Sequence, residues 1–260
     1  MVTKVFGIIG DPIEQVRSPT IFNKLFQERG VDAVMVPMHV RRSLFSQSLD
    51  GLLHIENVAG LIITIPHKTM AASFLTSGYR SSRASIAGAA NALRRCQGSW
   101  EGDLFDGEGF AKGMEAAGFV ITGKNCAVVG CGGAGSAIAL ALLDRRIAQL
   151  SLWDTEEYKC EVLAARLGAL YSAKIIVGAP RKSDDIVLNA TPLGMLTTDS
   201  LPFNVDDLRS DVVVADVVMK PSRTRLIIRA ADLGLKTHEG HHMLDHQVEA
   251  IWDYFGLPRT

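Results

Sequence analysis

The stretch CAVVGCGGAGSA, residues 126–137, decides how this chain is read. An apolar run ends at Gly130, and Gly130, Gly132 and Gly135 fit the pattern G-x-G-x-x-G ahead of an apolar helical run from Ala134 to Leu143. Each glycine serves a purpose that a side chain would defeat. The first permits a tight turn, the second lets backbone approach a pyrophosphate, and the third lets helix pack on strand. The helix N-terminus then faces the phosphates. Gly130, Gly132, Gly133, Ala134 and Gly135 are therefore the expected cofactor contacts. Asp154 closes the next apolar run, LSLWD (150–154), 24 residues after Gly130. A carboxylate there accepts hydrogen bonds from ribose hydroxyls and repels a 2′-phosphate, so NAD is expected in preference to NADP. Lys159 and Arg181 are the cations that could still serve NADP. The plainer alternative is an ordinary strand–turn–helix glycine cluster with Asp154 as a cap.

Outward from this loop, short β-branched runs alternate with helical periods over most of the chain. Strands are expected at 5–10, 33–40, 61–66, 126–130, 150–154, 174–178, 185–191 and 212–218. Such alternation implies mainly parallel sheets with crossover helices, an α/β class. The alternation restarts after Gly123, which puts a boundary near 107–124. In GDPIEQVRSP (10–19), Ser18 suits a helix cap and Pro19 the first helical position.

The bulk composition narrows the function classes. A length of 260 residues allows one or two domains, and a formal net charge of −1 without long like-charged runs argues against nucleic acid or an anionic membrane surface. No apolar run reaches membrane-span length, and the N-terminal MVTKVFGIIGDP reads as a first strand. Four cysteines without CxxC spacing suit a reduced, cytoplasmic protein.

Six separated blocks, in order, resemble the shikimate/quinate dehydrogenase family. They are ITIPHK (63–68), IAGAAN (86–91), GDLFDGEG (102–109), GCGGAGSA (130–137), NATPLGM (189–195) and GHHMLDHQ (240–247). The resemblance implies two domains. A mixed or parallel α/β substrate domain would cover 1–106 and 240–260, and a Rossmann-type doubly wound sheet would cover 107–239, with substrate and nicotinamide between them. It also implies reversible oxidation of a ring hydroxyl of shikimate, quinate or a related cyclic hydroxy acid with NAD or NADP. By the same resemblance Lys68 and Asp106 handle the reacting proton. Ser18, Thr64, Asn91 and Gln247 would bind substrate, with Val16 and Met219 lining its pocket. Asn189, Thr191 and Gly194 would lie beneath the nicotinamide. Taken alone, Lys68 would be a helix-start cation, Asp106 a turn residue, Asn91 and Gln247 exposed amides, and NATPLGM a common turn.

The departures from the family pattern share a character. Gln15 stands for a His and Val16 for the first of two carboxylate-holding serines. Ile62 sits in or beside the place of an Asn, Phe105 replaces a Thr before Asp106, and Met219 stands where the family usually has a Tyr. Arg17 is expected to point to solvent. An amino-substituted or less polar ring is therefore an alternative substrate, and a non-catalytic dinucleotide sensor a further alternative. His238, His241, His242 and His246 cluster within nine residues, and His242 and His246 have a zinc-compatible i, i+4 spacing. The segment matches a metal-free family block and lacks H-E-x-x-H order, so no metal is expected. Monomer and homodimer are equally compatible with the sequence.

Overall fold

Strand runs rich in Val, Ile and Ala form two sheets, and the connections between them supply the polar loops. The computed structural model describes residues 2–75 and 79–259. Contacts divide the chain into two units, Met1–Phe105 with Val248–Thr260, and Asp106–Gln247.

The first unit contains β1 (Lys4–Gly10), α1 (Ser18–Glu28), β2 (Ala33–His39), α2 (Phe45–Leu53), β3 (Val58–Ile63), α3 (Lys68–Phe74), α4 (Ser82–Ala87), β4 (Ala92–Cys96) and β5 (Ser99–Asp103). Its sheet runs in the order β2-β1-β3-β4-β5. β1 pairs in parallel with β2 and β3, whereas β4 is antiparallel to β3 and β5. The sheet is mixed, as expected for the substrate domain. On α1, Phe22 and Phe26 are four apart and share the buried face.

The sequence puts Ser18 at the cap of α1, but the structure starts the helix one residue earlier. Arg17 is the cap residue, its carbonyl accepts the Ile21 N–H at 3.2 Å, and no side chain caps the helix. Ser18 is thus the first helical residue and is buried. Pro19 follows within the first turn, where a missing N–H leaves no bond unmade. β3 likewise begins and ends three residues before the expected 61–66, because Pro66 has no N–H for a ladder.

The second unit contains α5 (Asp106–Ala116), β6 (Asn125–Val129), α6 (Gly133–Asp144), β7 (Gln149–Trp153), α7 (Glu157–Gly168), β8 (Lys174–Val177), β9 (Ile186–Asn189), β10 (Val213–Asp216), α8 (Arg225–Asp232), β11 (Lys236–His238) and α9 (His241–Asp245). All six strands are parallel, in the order β11-β10-β9-β6-β7-β8. This is the doubly wound arrangement, with its switch point between β6 and β9. Helix α6 is apolar all round because Ala137 to Leu143 are all buried.

The last helix, α10 (Val248–Tyr254), belongs to the first unit. It delivers Trp252, which is fully buried, against Phe26 at 5.6 Å between ring centroids, and Phe26 in turn meets Phe6 at 5.4 Å. Gly60 leaves the space that Phe255 fills, since a Cβ there would lie 2.7 Å from its ring.

Candidate active site

In the second unit the glycine loop joins β6 to α6 at the switch point. Gly130 has φ +101, a conformation open to glycine, and a Cβ there would also strike Thr191 and Ala190 within 3.0 Å. A Cβ on Gly135 would sit 1.8 Å from the Gly130 carbonyl oxygen, so that position admits only glycine. Nothing lies within 4 Å of where a Cβ on Gly132 would stand, which leaves its backbone open to close approach. These three features fit a dinucleotide pyrophosphate seated on the N-terminus of α6, with Gly133 and Ala134 in its first turn.

Asp154, immediately after β7, organises this loop. Its Oδ2 accepts the Cys131 N–H at 2.8 Å and its Oδ1 accepts the Glu156 N–H at 3.0 Å. The Thr155 hydroxyl also donates to Oδ1 at 3.4 Å, so of about four acceptor sites on the carboxylate one remains for a ribose hydroxyl. Of the two cations considered for a 2′-phosphate, Lys159 is engaged by Glu156, whereas Arg181 is exposed.

Across the switch point lies Asn189, the last residue of β9 and completely buried. Its Oδ1 accepts from the Thr191 hydroxyl at 2.7 Å and the Thr191 N–H at 3.0 Å. Its Nδ2 donates to the Leu193 carbonyl at 2.9 Å and to Asp216 at 3.0 Å. Both donors and both lone pairs of the amide are used, so Asn189 shapes the 189–195 loop from within. Gly194, with φ +106, packs on Thr224 in the same cluster. Asp216 ends β10 and also accepts from the Thr224 hydroxyl at 2.6 Å and the Val218 N–H at 2.9 Å. Burial outweighs these bonds and pushes its carboxyl up to about 6. Sequence reasoning missed Asp216; its one signal was an acid ending an apolar run, VVVAD.

Asp106 is buried as the first residue of α5. The glycines that follow let two other helices approach. A Cβ on Gly107 would lie 2.0 Å from the Ala137 carbonyl of α6, and one on Gly109 would lie 2.4 Å from the Met243 carbonyl and 3.0 Å from Gln247 Cβ. Helix α5 therefore brings α6, Asp106 and the buried Gln247 into one packed group. Met219 is half-buried just beyond β10, and Gly240 packs on the adjoining backbone at 217–218.

In the first unit the expected substrate residues gather at the C-terminal ends of β1 and β3. Thr64 donates its N–H to Ile9, and its methyl lies where a Cβ on Gly10 would be. The Ile63 N–H donates to the Asn91 carbonyl, and the Ala90 N–H to that of Lys68. Asn91 is buried, and its Oδ1 accepts the Phe105 N–H at 2.8 Å. Lys68 is half-buried at the start of α3. The preceding His67 was missed by sequence reasoning. It is fully buried, its ring is stacked 4.4 Å from Phe45, and its Nε2–H donates to the Val40 carbonyl at 2.7 Å. Burial lowers its basicity, so it is a neutral anchor for the turn that presents Lys68.

The loop after β1 departs most from a carboxylate site. Val16 is half-buried, Arg17 exposed and Ser18 buried. Gln15 turns its Nε2 back onto the Pro12 carbonyl at 2.8 Å, which uses one of its two donors within the loop. Phe105 is buried, with the Arg83 guanidinium 5.0 Å over its ring and Tyr254 at 5.3 Å. Arg83 also pairs with Asp103 at 2.7 Å.

His241, His242 and Asp245 offer ligand atoms within 4.8 Å of one another. No helix among the described residues is long and apolar enough to cross a membrane.

Comparison with known proteins gives a consistent picture. The family model for the shikimate dehydrogenase substrate binding domain matches residues 8–93. A shikimate dehydrogenase (NADP(+)) of Symbiobacterium thermophilum is 32% identical, over 97% of this chain and 88% of its own. The crystal structure of shikimate dehydrogenase from Aquifex aeolicus is similar at TM-score 0.86 and 26% identity, over 100% of this chain and 96% of that one. Quinate dehydrogenase from Corynebacterium glutamicum, in complex with NAD, is similar at TM-score 0.81 and 28% identity, over 98% and 94% of the two chains. The family read from the six blocks and the expected fold class are both borne out.

Proposed function

The chain belongs to the shikimate dehydrogenase family, and we propose that Lys68 and Asp106 handle the hydroxyl proton in its reaction. It is an NAD(P)-dependent oxidoreductase that reversibly oxidises a ring hydroxyl of shikimate or a related cyclic hydroxy acid such as quinate. The observation that carries this reading is the meeting of the glycine loop with the 189–195 loop at the switch point. Bound there, the dinucleotide supplies the hydride acceptor. The chain's own residues bind, orient and deprotonate the alcohol. As a hydride leaves the carbinol carbon its proton must leave too, and a positioned base contributes about 10²–10⁴ in rate. Thr64, Asn91 and Gln247 hold the ring hydroxyls, and Ser18 contributes to holding the carboxylate.

NAD is the preferred cofactor in this proposal. Its support is the Asp154 carboxylate after β7, with Glu156 and Glu157 beside it, which would repel a 2′-phosphate. The curated relative named above is NADP(+)-dependent, and the quinate dehydrogenase neighbour holds NAD. A second substrate reading, an amino-substituted or less polar ring, is favoured by one observation. By the family resemblance Val16, Phe105 and Met219 replace polar groups, and Gln15 commits one of its two N–H donors to Pro12. The test is cofactor reduction by the purified protein, with NAD and NADP each offered shikimate, quinate and amino-substituted analogues. Turnover of shikimate with NAD supports the proposal; turnover of an amino-substituted analogue alone supports the second reading.

A further inference from the structure

The glycine loop contains a cysteine that dinucleotide binding does not use. Cys131 follows Gly130 directly, and its Sγ lies 3.2 Å from the Sγ of Cys160 on α7. Both side chains are buried, at 6% and 1% exposure, so this contact is built into the packing of loop against helix. A disulfide needs sulfurs about 2.05 Å apart, so closure requires about 1.1 Å of travel. We propose that Cys131 and Cys160 are an oxidation site, and that hydrogen peroxide converts them to a disulfide which weakens dinucleotide binding.

The chemistry balances without any other reactant. The Cys160 thiolate attacks one peroxide oxygen, the O–O bond breaks, and hydroxide leaves with the thiol proton as water, giving a sulfenic acid. Cys131 then attacks that sulfur, the S–S bond forms, the S–O bond breaks, and a second water leaves with the Cys131 proton. Two thiols are oxidised by two electrons, and one peroxide is reduced to two waters. The same balance holds with the two cysteines exchanged, since either sulfur can donate in their contact. Burial raises both thiols, so the reaction is slow at neutral pH and quickens as pH rises.

The consequence follows from how little slack the loop has. The Cys131 N–H is tied to Asp154 at 2.8 Å, the Gly130 N–H to the Trp153 carbonyl at 2.7 Å, and the Gly130 carbonyl presses on Gly135. Drawing the Cys131 sulfur toward α7 moves a peptide held on all these sides. The phosphate-facing N–H groups then lose alignment. Losing one such hydrogen bond to a charged group weakens binding about tenfold or more.

The test uses the full chain and needs no substrate, so it stands apart from the identity of the ring that is oxidised. The protein is treated with hydrogen peroxide, its disulfides are mapped by peptide mass spectrometry, and NAD and NADP affinities are measured by calorimetry before and after. The expected result is a Cys131–Cys160 crosslink, a dissociation constant raised about tenfold, and recovery with dithiothreitol. Cys160→Ser and Cys160→Ala should bind dinucleotide as the parent does and lose the peroxide response. Oxidation confined to Cys96 or Cys126, or a Cys131–Cys160 crosslink that leaves affinity unchanged, would overturn the proposal.

Discussion

The Asp154 carboxylate accepts the Cys131 N–H at 2.8 Å, so the acid expected to read the cofactor's ribose also braces the glycine loop. The two roles separate by substitution. Asp154→Asn keeps one acceptor oxygen, for the Cys131 N–H, removes the negative charge, and gives up the acceptor opposite the Glu156 N–H. We expect the ratio of NADP to NAD affinity to rise about tenfold, roughly 1.4 kcal/mol, with a stability loss smaller than that of the alanine variant. Asp154→Ala removes the acceptor as well and should cost about 1–2 kcal/mol of stability. Dinucleotide titrations and urea unfolding of both variants check this. An unchanged NADP:NAD ratio in the Asn variant would show that specificity is set by other residues.

Lys68 begins α3 directly after His67, whose buried ring is anchored to Val40. Lys68→Ala should lower kcat by about 10²–10⁴ while leaving NAD affinity within about twofold. Stopped-flow hydride transfer and a binding titration measure the two quantities separately. A rate near that of the parent would remove Lys68 from the chemistry and reopen the sensor alternative.

What the sequence made legible depended on how local the physics was. The central parallel strands were readable because both their faces are covered, which leaves apolar runs such as CAVV and IVL. The glycine loop was readable because close approach dictates its residues. The hairpin of β4 and β5 was not read as strand, since ALRRC puts two arginines in succession. Their charges are absorbed across the hairpin and by distant carbonyls: Arg94 pairs with Glu101 directly opposite on β5 and bonds the Tyr254 carbonyl, and Arg95 bonds the Leu53 and Ile55 carbonyls. A local sign existed in Gln97-Gly98, both at positive φ in the turn. β11 is three residues long at a sheet edge, too short for a periodicity. Within the site, the blocks named Asn189 and Thr191, but the dependence of that loop on Asp216 and Thr224 comes from residues about 30 positions away and only folding reveals it.

By the family resemblance Val16 stands for a carboxylate-holding serine, and it is half-buried in a loop where Gln15 donates one N–H back to the Pro12 carbonyl. Val16→Ser restores one hydroxyl donor toward a carboxylate. Such a bond is worth about 1.5–3 kcal/mol, so KM for shikimate should fall at least about tenfold with kcat little changed. Steady-state kinetics on shikimate decide the point. A KM that stays the same would mean the carboxylate is held elsewhere or that the natural substrate has none at this position.

His238 is a buried imidazole whose two nitrogens both lack a hydrogen-bond partner among the described residues. It is stacked 4.8 Å from His242 and meets Phe110 and Phe119 edge-on at 5.7 and 5.9 Å. Burial, reinforced by His242, His241 and His246, lowers its pKa to about 4. The unfolded chain takes up this proton near pH 6.5 and the folded protein only near 4, so between those values the unfolded state binds more protons. Stability from this residue is therefore full above pH 6.5 and declines as pH falls toward 4, by about 3 kcal/mol in all. Asp216, raised to about 6, acts in the opposite direction over its own window, from about 3.8 to 6. Comparing His238→Phe with the parent cancels that contribution, because both proteins keep Asp216. Phenylalanine suits the aromatic surroundings and forfeits no hydrogen bond. It should match or exceed the parent at pH 7.5 and exceed it by about 2 kcal/mol more at pH 5. Urea unfolding at the two pH values measures the difference. Equal acid sensitivity in both proteins would place the titrating group elsewhere in the fold.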